Sequence, residues 1–390
     1  MGPLANLKII ELAGIGPTPM AGTVLAGMGA TVLRVDRTVV ADLGTPKGDI
    51  QYQLLRRSRD NIQLDLKNPK AVELVLRLVK SADVLIEGFR PGVTERLGLG
   101  PDVCLQRNPR LVYGRMTGWG QDGPLAQSAG HDINYISIGG VLDAIGRAGQ
   151  PPTVPLALMG DMAGGAMFMV AGVLAAVHES YSSGLGQVVD ACIVEGAINL
   201  STSFYGAIAS GRWSLERGTN ILDSGAPFYD VYQCQDDKWI SIGPIEKRFH
   251  NELLQRLGFE PQEFGHHMDR SNWPRLREVF AATFKTQPRD AWCALLEGTD
   301  ACFAPVLNMC EAPQHPQLKA RGSFIEIDGI VQPTPAPRFS RTPNPIPRVP
   351  EVATPDNFVS ALAKWLPEAE IKDWLAALLN SDSDHPEHPL

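Results

Sequence analysis

The chain of 390 residues is too long for one small core, and its 44% hydrophobic and 20% charged residues are ordinary for a globular protein. A formal charge of −8 weighs against a general nucleic-acid binder, while leaving room for a local basic pocket. The six cysteines, at 104, 192, 234, 293, 302 and 310, form no CxxC pair, so reduced cytosolic thiols are expected rather than a zinc knuckle or a disulfide framework.

The opening, MGPLANLKIIEL, lacks the basic-then-apolar pattern of a secretory signal, and the end, DHPEHPL, is no SKL-type address, so a cytoplasmic protein is expected. Leu7–Leu12 reads as a strand, GIGPTP (14–19) as a turn, Met20–Met28 as a helix and Ala30–Asp36 as a second strand, which together make one βαβ unit. Pro69–Lys80 then reads as a helix, and Val84–Glu87 and Leu111–Met116 as strands. This alternation predicts an α/β fold, a Rossmann-like parallel sheet with helices on both faces. GHDINY (130–135) should open a helix or turn. Gly160-Asp161 precedes an apolar helix over 162–178, which puts Asp161 at an N-cap. That helix is short for a membrane span and is expected to be buried, with no membrane partner. A strand over Gln187–Cys192 leads into a long helical segment through Ser210.

From about Asp223 the texture changes. Tyr229–Gln233 and Lys238–Gly243 alternate like an antiparallel hairpin, with helices expected over Lys247–Leu257, Trp273–Phe284 and Arg289–Leu296. Three parts are therefore predicted: a large α/β domain over 1–222, a smaller α+β domain over 223–325, and a C-terminal part over 326–390. The last begins with a proline-dense strap (333–350) and ends in one or two helices.

Gly14-Ile-Gly16 begins like a dinucleotide fingerprint, and Asp36 lies 20 residues beyond Gly16, where a ribose diol would be held. Pro17 and Pro19, however, remove N–H donors a pyrophosphate would use, so a structural turn is the better reading. Arg34, Arg37, Arg56, Arg57 and Arg59 form a basic cluster, either solvated or a grip on phosphates. Arg37 follows a strand's carboxyl end, where ligands of open α/β sheets sit. His131 and Asp161 are each ordinary alone. On opposite sides of one carbon they could pass a proton through it, and a carboxyl opening a helix lies beside N–H groups able to hold an oxyanion. Glu246, after a strand and before a helix, is a third candidate. His266-His267 reads as solvated loop, His385 and His388 as tail. Met159, Met162, Met167 and Met169 could line an apolar groove or pack a core.

The segments LRVDR (33–37), LDLK (64–67), EGFRPGVTERLGLGP (87–101), RMTGWGQDGP (115–124), AGHDINY (129–135), GDMAGG (160–165), GQVVDA (186–191), LDSGAPFYD (222–230), GPIEKRF (243–249) and TDACFAPVL (299–307) carry a wider resemblance. From about 5 to 345 the chain resembles the family III CoA-transferase/racemase superfamily, and within it the α-methylacyl-CoA racemases. The resemblance implies epimerisation of 2-methyl-branched acyl-CoA thioesters through an enolate, with His131 and Asp161 as the two bases and Glu246 orienting the histidine. It places Arg37 on the CoA phosphates, Arg59, Gln63, Leu64, Asp65 and Leu66 along the adenosine region, and Arg90 nearby. It adds Ala129, Gly130, Asp132, Ile133, Asn134 and Tyr135 as substrate contacts. It also implies an interlocked homodimer and no cofactor or metal beyond the substrate's CoA. Transferases of the same superfamily would instead use Asp161 as a nucleophile; the histidine at 131 marks the racemases. Lys247-Arg248 after Glu246 and Ser224 in LDSGAP depart from the usual pattern.

Overall fold

The computed structural model describes residues 2–38 and 48–382. His385 and His388 lie outside them. Six parallel strands, β1 (Lys8–Leu12), β2 (Thr31–Arg37), β3 (Asp60–Leu64), β4 (Val84–Glu87), β5 (Val112–Thr117) and β6 (Val188–Cys192), form one sheet in the order β3-β2-β1-β4-β5-β6. β4 and β5 are buried along their whole length, as their near-continuous apolar runs require of strands covered on both faces.

Side-chain alternation divides the core in two. Ile10, Leu12, Leu33, Leu85 and Tyr113 point to one face and meet Leu74, Val75 and Leu78 of helix α1 (Pro69–Val79). Ile9, Val32, Val84, Ile86 and Val112 point to the other. There they meet the helix over Pro17–Gly27 and α2 (Phe168–Ser183), through Leu25, Met169 and Val173. The first face is closed by two C-terminal helices, Pro355–Leu362 and Glu368–Asp382, and the turn between them, whose Leu362, Ile371 and Trp365 respectively are buried in that core. Arg77 and Glu370 pair at 2.7 Å.

Strand β3 is invisible as a pattern because three of the five residues of DNIQL are polar and two of them adjoin, which an edge strand tolerates. Its outer side is served by the proline-rich strap. Asn61 donates to the Glu351 carbonyl at 3.0 Å, Asp60 meets Arg348 at 2.8 Å, and Ser58 and Arg348 bond backbone to backbone. The segment Leu158–Ser183 is helical throughout and, by length and composition alone, apolar enough to cross a membrane, with mean hydropathy 1.6 and half of its window buried inside the protein.

The chain forms two compact units. The first takes in 1–139, 156–200 and 324–390; the second takes in 140–155 and 201–323, and so includes residues up to 222 that the sequence pattern groups with the large domain. The second unit is built on an antiparallel sheet of β7 (Asp230–Gln233), β8 (Trp239–Ile242) and β9 (Phe303–Val306). Phe228, Phe280, Phe284, Leu253 and Trp292 fill its core. Its helices over Lys247–Arg256, Trp273–Phe284 and Arg289–Leu296 fall where the apolar periodicity puts them. The continuous helix expected through Ser210 is broken at Ser201, between Ile193–Leu200 and Thr202–Ala209.

Candidate active site

The carboxyl ends of β1, β4 and β5 open toward one edge of the sheet, the edge where open α/β sheets hold ligands. Asp161 is brought there by a π-helix, Leu158–Met167, that runs into α2. The expected N-cap is therefore corrected: the helix begins before Asp161, which sits in its first turn. Close backbone packing makes the wider winding fit, for a Cβ on Gly196 would lie 1.9 Å from the Gly164 carbonyl oxygen. π-helical segments of this kind are frequent at functional sites.

Asp161 is held from two sides. Its backbone N–H donates to Asp132 Oδ2 at 2.7 Å. Its carboxyl lies over the Gly14–Pro19 turn, where Gly16 has φ +64° and an added Cβ would stand 2.8 Å from Asp161 Oδ2. The glycine is there to admit a carboxyl group, a task unlike that of a pyrophosphate loop. Burial pushes the Asp161 pKa up to about 6, the Asp132 charge adds to the rise, and nearby His131 opposes it.

His131 is exposed at the opening of the short helix Asp132–Ile138, with its backbone N–H held by Asn134 Oδ1 at 3.0 Å. The Asp132–Asp161 bond brings the two segments together in the first unit, close enough for the His131 charge to act on the Asp161 carboxyl. The Tyr135 hydroxyl donates to the Gly130 carbonyl, and its ring meets Trp119 edge-on at 4.7 Å. Tyr135 and Asp132 are only 8% and 6% exposed; the Tyr135 hydroxyl is spent on Gly130, and one Asp132 oxygen on the Asp161 N–H. Ala129, Ile133 and Asn134 stay exposed beside them and Gly130 half-buried.

Asp132→Asn keeps an oxygen to accept the Asp161 N–H and removes the neighbouring charge. Carbon-13 NMR titration of labelled carboxyls should then find the Asp161 midpoint below its parent value. An unmoved midpoint would mean that burial alone sets it.

The basic cluster divides. Arg59 is 1% exposed and pairs with the fully buried Glu11 at 2.7 Å; it also donates to the Leu55 and Pro19 carbonyls and to Thr23 Oγ1. It braces the first βαβ unit from inside, and its guanidinium is spent on protein partners. Leu64 and Leu66 are likewise core side chains, leaving Gln63 and Asp65 as the exposed members of that stretch. Asp36 is claimed by Arg34 at one oxygen and Arg56 at the other, which removes the ribose ligand of a dinucleotide fold. Arg57 donates to Gln332 at 2.7 Å. Arg37 is exposed, its guanidinium 4.6 Å over the Phe89 ring, and Arg90 is exposed close by in sequence. Of the methionines, Met169 is fully buried, while Met159 and Met162 are half-buried and Met167 is exposed.

A buried carboxylate beneath Arg37 escaped the sequence reading, although its position at the end of a strand in EGFRPG was a signal. Glu87 accepts from the Phe89 N–H at 2.6 Å and from Arg115 at 3.0 Å, and Arg115 reaches on to Glu95 at 2.8 Å. Burial lifts the Glu87 pKa to about 7. Glu246 belongs to the second unit, exposed at the start of the helix Lys247–Arg256. Among the described residues no group of three or more His, Cys, Asp or Glu is disposed to hold a metal.

The profile of CoA-transferase family III matches residues 4–356. The chain is 42% identical over 342 residues to the alpha-methylacyl-CoA racemase of Mus musculus, covering 87% of each chain, and 40% identical over 341 residues to that of Homo sapiens, again covering 87% of each. The crystal structure of a CAIB/BAIF family protein from Brucella suis superposes with a TM-score of 0.78 at 24% identity, covering 95% of this chain and 99% of that one. The last likeness speaks for the fold alone.

Proposed function

This chain belongs to CoA-transferase family III, and on that premise we propose that it is an isomerase of the α-methylacyl-CoA racemase type. It interconverts the (2R) and (2S) epimers of 2-methyl-branched acyl-CoA thioesters. The observation that carries the reading is the Asp132–Asp161 bond at 2.7 Å, which joins the segment bearing His131 to a carboxyl group whose pKa is raised to about 6.

A thioester α-proton is a weak acid, and inversion needs a base on each face of C2. Neutral His131 removes the proton from one epimer, and protonated Asp161 delivers one to the opposite face. The reverse reaction exchanges the roles, so the working enzyme carries one proton between the two groups. The raised pKa of Asp161 serves this, because a carboxyl near its own midpoint can give and take a proton at neutral pH. We give Glu246, by the family resemblance, the task of orienting the imidazole. The exposed Arg37 and Arg90 suit the CoA phosphates. Both proton transfers are redox-neutral, so the reading calls on no cofactor beyond the CoA of the substrate.

A homodimer belongs to the same reading. It is supported by apolar side chains left on the first unit's surface, among them Ile138, Leu156, Leu158 and Tyr181. Six free thiols support a cytoplasmic setting.

Proton NMR in heavy water tests the reaction. Each epimer of a 2-methylacyl-CoA should lose its C2 proton signal and give the same epimeric mixture. Retention of that proton in both epimers would defeat the reading. Trapping of an Asp161 hydroxamate by hydroxylamine, with an acceptor acid present, would replace it with transferase chemistry.

A further inference from the structure

His267, expected in a solvated loop, is 7% exposed in the core of the second unit. Its Nε2 lies 2.8 Å from the carbonyl oxygen of Ile245. A carbonyl only accepts, so Nε2 carries the proton and donates. The ring is clamped on every side the packing offers. It stacks on His250 at 4.8 Å and His266 at 5.2 Å, and meets the edge of Phe228 at 5.2 Å. The backbone is held as well, since Trp273 Nε1 donates to the His267 carbonyl at 2.8 Å. His250 is 2% exposed, and neither of its ring nitrogens has a partner among the described residues; it serves as an aromatic plate behind His267.

Ile245 is the residue before Glu246. The corner between β8 and the following helix is held elsewhere too: Pro244 fixes its own φ, Ile245 packs on the core, and the Glu246 carbonyl accepts from the His250 N–H at 2.9 Å. Gly243 N–H reaches the Cys302 carbonyl at 2.9 Å, and Ile245 N–H closes a tight turn on the Gly243 carbonyl at 2.9 Å. The Glu246 side chain makes no capping bond to its own helix. The plane of the Ile245–Glu246 peptide helps to set the direction in which the Glu246 side chain leaves the backbone, and the His267 imidazole holds that plane by its oxygen.

We infer that His267 is a positioning residue, which aims Glu246 by donating to the Ile245 carbonyl from a stack of three histidines. The inference rests on the role given to Glu246 above. Lys247 and His266 are the charged or titratable groups whose fields act on the His267 ring, with His250 stacked behind it.

The test compares Glu246→Gln, His267→Leu, His267→Gln and the double variant Glu246→Gln/His267→Leu in the full-length enzyme, by C2 deuterium wash-in into a 2-methylacyl-CoA. His267→Leu should lower kcat about ten- to a hundredfold with KM little changed, the scale of a misplaced catalytic group. His267→Gln, which keeps a donor near the same place, should restore most of it. The double variant should be no slower than Glu246→Gln alone. A folded His267→Leu with parent kcat, or losses that multiply in the double variant, would overturn the inference while leaving Glu246 its role. Full activity in Glu246→Gln would remove that role and the inference with it. Should His267→Leu fail to fold, His267→Phe, which keeps the ring stack and removes the donor, decides: parent kcat refutes the proposal, and a fall toward that of Glu246→Gln supports it.

Discussion

His131→Ala and Asp161→Ala should each lower epimer interconversion by about two orders of magnitude or more, the scale of removing a positioned acid or base. Neither side chain is part of a packed core: His131 is exposed and Asp161 half-buried. The Asp161 backbone N–H, which ties the π-helix to Asp132, survives the substitution. Thermal midpoints should therefore stay close to the parent's, and the loss should be chemical. The two variants should also differ from one another. With one base gone, the survivor can still exchange the C2 proton on its own face, so each variant should wash deuterium slowly into one epimer without inverting it, and the favoured epimer should be opposite in the two. Proton NMR of each epimer in heavy water reads both effects. Full interconversion in either variant would end the two-base mechanism.

Arg59→Met should destabilise the protein by about 3 kcal/mol, the scale of taking one of two arginine partners from a buried carboxylate and the donors from three buried acceptors. Glu11 is fully buried and would keep only Arg34, while the Pro19 and Leu55 carbonyls and Thr23 would lose a donor. For a unit of this size such a change corresponds to a fall in melting temperature of roughly 6–12 °C. The pairing of Glu11 with Arg59 links β1 to the chain entering β3 and to the first helix, whose opening turn lies against Asp161. Glu11→Gln/Arg59→Met should recover part of the loss, because a neutral amide is cheaper to bury than an unpaired charge. A raised KM for acyl-CoA at an unchanged melting temperature would instead return Arg59 to the ligand.

The two units differ in what made them readable. In the first, β1, β2, β4 and β5 announce themselves because strands buried on both faces need unbroken apolar runs, and Gly- and Pro-rich turns punctuate them. β3 was missed because an edge strand has polar duties: Asp60 and Asn61 answer the strap. The continuous helix through Ser210 was over-read because helical propensity carries no record of a break that packing makes.

The candidate site followed the same division. Residue types and motif spacing were enough to single out His131, Asp161, Glu246 and Arg37, since those are properties of the chain itself. They could not tell Arg37 from Arg59: both are arginines of one basic cluster, and only the arrival of Glu11 from another strand buries the second. Nor could they reveal that His267 is an internal donor rather than solvated loop.

Local periodicity and composition sufficed for most of the parallel sheet, the β7–β8 hairpin and the identity of the chemical groups at hand, because they act along the chain. Only the tertiary structure decided that Asp161 sits in a π-helical turn latched to Asp132, which arginines are buried, and how the Glu246 corner is braced. Those outcomes depend on burial and on partners distant in sequence, and desolvation together with a neighbouring charge shifts a pKa that no local pattern contains.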